Sequence, residues 1–217
     1  MCGRYLIDDE AYADLLLYIN SEFGIRSSDL SAKEQFATLD NIPGLPPAPA
    51  QSLAAGEVFP TNIAPVITHD GAAAVKWGFP HFKNSSVIIN ARAETAQEKN
   101  MFRKALRERR CVVPSCGFYE WDRSSAGKKK DKYLLRKPGE RLLYMAGLAG
   151  TFRKADGLEY SAFVILTTSA NDSLAPIHDR MPVILSQEER DLWLSDDGFV
   201  SYALSRTGPD LVPELCT

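Results

Sequence analysis

Apolar residues recur along this chain in two rhythms. A helical rhythm follows Asp8, where Tyr12, Leu15, Leu16 and Ile19 repeat at intervals of three and four to about residue 21. Asp8 stands where a helix cap is needed. The rhythm returns over about 96–109, with Phe102, Ala105 and Leu106 on one side and Lys99, Arg103, Lys104 and Arg107 on the other. It recurs over 187–194, behind a capping Ser186, and near 199–204. The second rhythm is that of short apolar runs bounded by turn residues. It predicts strands at 3–7, 66–68, 73–77 and 87–89, then at 111–114, 117–121, 133–136, 142–149, 161–168 and 183–185. The runs at 111–114 and 117–121 meet at a kink, and 124–131, with Gly127 and three lysines, predicts a hairpin tip. Residues 24–56, which include Ile42-Pro43-Gly44-Leu45-Pro46-Pro47, show neither rhythm. They predict a long surface excursion with a short helix near 33–39. The tail after Leu204 reads as polar. Strands follow strands after Cys111, so an α+β fold around a curved, mainly antiparallel sheet with flanking helices is expected. Both flanks of the excursion feed one core, so residues 1–217 are expected to form a single domain.

Composition narrows the function. Of 217 residues, 45% are hydrophobic and 24% charged, ordinary values for a globular protein. The net charge of −3 argues against a surface coated in positive charge for duplex DNA, while leaving room for a local basic groove. Asp8, Asp9 and Glu10 come too early for a signal peptide, and no apolar run reaches the ~20 residues of a membrane span. The four cysteines (Cys2, Cys111, Cys116, Cys216) lack CxxC pairing and read as reduced, in a cytoplasmic protein. Three histidines give little support to a zinc site, and no glycine-rich nucleotide motif is present, so neither metal nor cofactor is expected.

The chemistry starts at Met1-Cys2-Gly3-Arg4-Tyr5. Removal of Met1 would leave Cys2 with an α-amine and a thiol on adjacent carbons. The amine condenses with an aldehyde to an imine, and the thiol closes on the imine carbon to give a thiazolidine. The two groups titrate near ~8 and ~8.5, so both have reactive fractions at neutral pH. Against this stands the plain reading of Cys2 as a small residue opening a strand. Glu120 sits among aromatics in Gly117-Phe118-Tyr119-Glu120-Trp121, sharing a strand face with Phe118. If that face is buried, its pKa rises toward neutrality and suits acid–base work. The alternative is an exposed edge glutamate. His178 lies on a proline-bounded loop, fit either for proton shuttling or for a structural bond to backbone. Asn90 and Arg92 fall on one face of a strand end and suit sugar or phosphate oxygens, or else a turn and an Arg92–Glu94 surface pair. Arg4, two residues from Cys2 on the same strand face, could hold a phosphate near the amine. The basic run 103–110 reads chiefly as a solvated helix face.

Six stretches in order resemble the SOS-response-associated peptidase (SRAP) family of abasic-site processing proteins. They are Met1-Cys2-Gly3-Arg4-Tyr5, Asn62-Ile63-Ala64-Pro65, Lys76-Trp77-Gly78-Phe79, Ile89-Asn90-Ala91-Arg92-Ala93-Glu94-Thr95, Pro114 with Gly117-Phe118-Tyr119-Glu120-Trp121, and Ile177-His178-Asp179-Arg180-Met181-Pro182. They span about residues 1–185. The resemblance implies a barrel-like sheet and a protein that binds single-stranded DNA and crosslinks abasic sites through Cys2. It implies that Asn90 positions the lesion, that Glu120 moves protons at the imine, and that His178 promotes opening of the sugar. Arg4, Arg92 and Arg180 would hold phosphates, Thr167 would add a hydroxyl contact, and Pro65 and Trp77 would shape the DNA site. It further implies peptidase-like removal of whatever precedes the cysteine, a monomer, and location on the nucleoid at lesions. The chain departs from the family pattern at Phe82, where a tryptophan is common, at Cys116, and in its short tail. Two other readings compete: a cysteine peptidase or amidohydrolase using Cys2, His178 and Glu120, and a non-catalytic single-strand binder.

Overall fold

The structure is a computed structural model that describes residues 2–23, 55–123 and 130–216. The expected excursion helix at 33–39 and most of the hairpin tip lie outside the described residues, as do the side chains of Leu16 and Ile19.

Two sheets carry the fold. The first strand, β1 (Arg4–Ile7), leads into α1 (Asp9–Phe23), and the Asp8 carboxylate accepts the Ala11 N–H at 2.8 Å as the expected cap. Tyr12 and Leu15 of α1 are fully buried. β2 (Gly56–Val58), a strand the sequence pattern did not predict and whose first residue it had placed at the end of the excursion, pairs with β1. β3 (Ile63–Thr68) is buried at every position and pairs antiparallel with β4 (Gly71–Trp77). The short β5 (Phe79–Pro80) and β6 (Val87–Ile88) make a hairpin that delivers β7 (Asn90–Arg92).

One helix was expected over 96–109. Two are found, α2 (Ala93–Ala96) and α3 (Asn100–Glu108), separated where Lys99 is extended (φ −76°, ψ 120°). Phe102, Ala105 and Leu106 face inward as the 3.6-residue period requires. β8 (Arg110–Ser115) and β9 (Gly117–Trp121) then meet at a sharp corner. Gly117 has φ +149°, and a Cβ there would stand 2.6 Å from the Leu135 carbonyl oxygen, so only glycine fits. β10 (Lys132–Arg136), β11 (Leu143–Arg153) and β12 (Glu159–Ser169) follow, then β13 (Arg180–Pro182) and β14 (Ile184–Leu185). α4 (Gln187–Ser195) opens on a full capping box, Ser186 with Glu189, and α5 (Asp197–Ser205) follows at once.

β12, β4, β3, β8 and β11 pair in that order, and β11 returns to β12, so these five strands close into a barrel. The barrel is mixed: β4 and β7 both run parallel to β12. The second sheet, β15-β10-β9-β1-β2, is antiparallel throughout. Its edge strand β15 (Val212–Cys216) lies in the tail that had read as polar, where no strand was predicted. Trp77, Phe79, Phe163, Ile67 and Trp193 are among the side chains that fill the core. Burying each large apolar side chain contributes roughly 1.5–3 kcal/mol before entropy is set against it. No helix among the described residues is long and apolar enough to cross a membrane.

A buried carboxyl–imidazole pair beside Cys2

The site forms where the antiparallel sheet meets the barrel. Cys2 lies just before β1 and is fully buried, and its thiol donates to the Arg4 carbonyl at 3.6 Å. Regular alternation would have put Cys2 and Arg4 on one face. The strand begins only at Arg4, and Cys2 before it is fully buried while Arg4 is partly exposed. Burial pushes the Cys2 thiol well above its ordinary value, and the charge of Glu120 pushes it further. The thiol is therefore a neutral S–H at physiological pH.

Asn90, at the start of β7, donates its side-chain N–H to the Cys2 carbonyl oxygen at 2.9 Å. That bond joins residues 88 positions apart and fixes the backbone of Cys2. The buried Oδ1 of Asn90 finds no partner among the described residues and remains available as an acceptor. β7 is held in place from behind. Trp77 is fully buried, donates from its ring N–H to the Ile89 carbonyl at 3.0 Å, and packs on Tyr5 and Phe163. A tryptophan so enclosed cannot stack on a base, so Trp77 shapes the site only from beneath. The same holds for Pro65, buried in the middle of β3 opposite Ala74.

Glu120, in β9, is 3% exposed, which settles that the face of Phe118 is the core face. Burial raises its carboxyl to about 7. His178 Nε2 stands 3.6 Å from Glu120 Oε2. The ring Nδ1 accepts the Arg180 backbone N–H at 3.0 Å, an assignment that leaves the proton on Nε2, facing the carboxyl. Burial lowers the imidazole to about 4. Burial is the largest cause of both shifts, and each partner is driven toward neutrality. Near pH 7 the carboxyl is the member of the pair that changes charge.

The sequence did not single out Asp179 and Arg123. Asp179 Oδ1 lies 3.1 Å from His178 Nδ1 and 2.7 Å from Arg123 Nη1. The ion pair ties the end of β9 to the histidine loop, and the Arg123 N–H also donates to the Ile177 carbonyl. The adjacency of His178 and Asp179 was the one signal available.

The remaining residues frame this pair. Thr167, on β12, is fully buried, with a hydroxyl that has no partner among the described residues. In the β7–β12 register it stands opposite Arg92, which is exposed. The Arg180 guanidinium is already engaged, reaching both Glu94 carboxylate oxygens at 2.5 and 2.9 Å and the Thr167 carbonyl at 2.6 Å. Glu94 thus pairs with Arg180 and not with Arg92. Arg4 is partly exposed. Its guanidinium carbon lies 4.5 Å from the Phe59 ring centroid and 5.0 Å from that of Trp121, and it pairs with Glu57 at 3.4 Å. No group of metal-ligating side chains occurs among the described residues.

A family model described as SOS response associated peptidase (SRAP) matches residues 1–206. The abasic site processing protein YoqW of Bacillus subtilis (strain 168) is 37% identical over 160 residues, covering 67% of this chain and 71% of that protein. YedK of Escherichia coli (strain K12), also named an abasic site processing protein, is 32% identical over 125 residues, 57% of this chain and 54% of YedK. A solved structure from Bacteroides thetaiotaomicron matches with a TM-score of 0.74 at 26% identity, covering 100% of this chain and 92% of that one. With the family model spanning nearly the whole chain and its six motifs meeting in one fold, the protein belongs to the SRAP family.

Proposed function

We propose that the chain processes abasic sites in single-stranded DNA by capturing them covalently at Cys2 once Met1 has been removed. The relatives' names supply the lesion. The observation that carries the chemistry is the buried pair of Glu120 (about 7) and His178 (about 4), 3.6 Å apart, with the Glu120 charge acting on the Cys2 thiol and the Cys2 carbonyl held by Asn90.

An abasic sugar is mostly a closed hemiacetal. Opening it takes the proton from its hydroxyl, breaks the ring C–O bond and returns a proton to the ring oxygen. The Glu120 carboxylate can accept the first proton and return it to the ring oxygen, while His178, with its proton on Nε2, can donate a hydrogen bond to the sugar. The Cys2 amine then adds to the aldehyde, and the carbinolamine loses water to give an imine. Glu120 in its acid form can protonate the departing hydroxyl. The thiol next adds to the imine carbon, its proton passing to the imine nitrogen, and the thiazolidine closes. One water is lost overall. A group near 7 is present in both forms at neutral pH and can serve both steps. A thiol held as S–H needs such a base at ring closure. Arg92 and Arg4 would meet phosphates, while Arg180, held by Glu94, would chiefly keep β7 and the histidine loop in register.

The peptidase reading has less support, because His178, the base it would pair with the Cys2 thiol, faces Glu120 instead. One assay separates the readings. The chain is mixed with three oligonucleotides, carrying an abasic site, a tetrahydrofuran analogue without an aldehyde, or no lesion, and run on denaturing gels. A stable adduct with the first alone, lost in Cys2→Ala, is expected. Adduct with the analogue, or Cys2-dependent peptide turnover without adduct, would refute the proposal.

A further inference from the structure

A cavity of about 330 Å³ opens between α3 and α5, away from the Cys2 residues named above. Its rim carries Gln97, Arg103, Arg107, Ser201 and the carboxylate of Asp197, which Arg110 holds, and its floor is Leu106 and Val200. Arg110 also lines it but is committed elsewhere. It is buried, pairs with Asp197 at 2.7 Å and donates to the Trp193 and Leu106 carbonyls. Arg103 and Arg107 differ. They stand four residues apart on one face of α3, both exposed, and neither pairs with a carboxylate among the described residues. On the adjacent row of the same helix, Lys104 is matched by Glu108 at 3.8 Å, so the missing partner is particular to the row that faces the cavity.

We propose that this cavity docks an acidic peptide segment of a partner protein, with carboxylates on Arg103 and Arg107 and one apolar side chain against Leu106 and Val200. Guanidinium forks suit carboxylates, and the arginine stems extend the apolar floor up the walls. A nucleic-acid strand would need cations spaced along a groove and bases stacked on aromatic faces; among the described residues, none that lines this cavity is aromatic. The site is independent of Cys2 chemistry, so it stands or falls separately from the abasic-site reading.

The test is fluorescence anisotropy with a labelled Asp-Asp-Glu-Leu-Phe peptide bearing a free terminal carboxylate, beside a control with Gly-Gly in place of Leu-Phe. Saturable binding below about 1 mM is expected, weakened about tenfold or more in the control and in the Arg103→Glu/Arg107→Glu variant. The milder Arg103→Gln/Arg107→Gln variant should fall between, with adduct formation at Cys2 and the melting temperature unchanged in both. No saturable binding, or equal binding by wild type and variants, would overturn the proposal. So would loss of affinity for an undamaged oligonucleotide in the variants while peptide binding persists.

Discussion

Two titratable residues set the behaviour of the site. Glu120 lies at about 7 against an ordinary 4.5, and His178 at about 4 against 6.5. Capture that needs the Glu120 carboxylate for ring closure should accelerate through pH 6–8 with a midpoint near 7. Glu120→Gln should lose that limb and slow capture about 10²-fold at pH 7.5, measured as the rate of denaturation-resistant adduct; an unchanged profile would remove Glu120 from the mechanism. The same shifts act on stability. A raised Glu120 contributes stability present below 4.5 and lost as pH rises to 7; a depressed His178 contributes stability present above 6.5 and lost as pH falls to 4. Urea unfolding should therefore show Glu120→Gln gaining on the wild type as pH climbs from 4.5 to 7. At Asp179, replacement by Asn breaks an exposed ion pair, so stability should drop by no more than about 1 kcal/mol. Capture should nonetheless slow severalfold, because the histidine loop loses its tie to β9; an unaltered rate would show that the tie does not position His178. Cys2, Asn90, Glu120 and His178 were legible as candidates because each residue type suits the chemistry. Their meeting was not legible, since the Asn90 bond spans 88 positions and follows from strand register. Burial also separated Trp77 and Pro65, which lie under the surface, from Arg92, which lies on it.

At the scale of elements, the corner between β8 and β9 aims Glu120 inward. Gly117→Ala would combine a left-handed backbone with a 2.6 Å contact to Leu135 O. The expected loss is about 2–4 kcal/mol in urea unfolding, with adduct formation reduced by displacement of Glu120. A shift below about 0.5 kcal/mol would mean that the corner is not strained. Capped helices were the readable elements: Asp8 and Ser186 announced α1 and α4. The break between α2 and α3 was not readable, because no glycine or proline marks residues 97–99. β15 was missed because Pro213 and Glu214 suppress strand propensity, and only pairing with β10 makes it a strand. The parallel pairings of β4 and β7 with β12 are long-range and leave no local signature.

Across the whole molecule, a net charge of −3 coexists with Arg4 and Arg92, two residues on from Cys2 and Asn90. Equilibrium affinity for undamaged DNA need only be modest if capture is covalent, and it should weaken as salt rises. Asn90 comes to Cys2 from a strand of the barrel side and Glu120 from the antiparallel sheet, so both sheets contribute to the proposed site. Intact-protein mass spectrometry tests capture at Cys2 most directly, after the purified chain is mixed with a single-stranded oligonucleotide bearing one abasic site. The account predicts a species at the mass of protein without Met1, plus oligonucleotide, minus one water, absent with undamaged DNA. A chain shown to lack Met1 that forms no such species would contradict it.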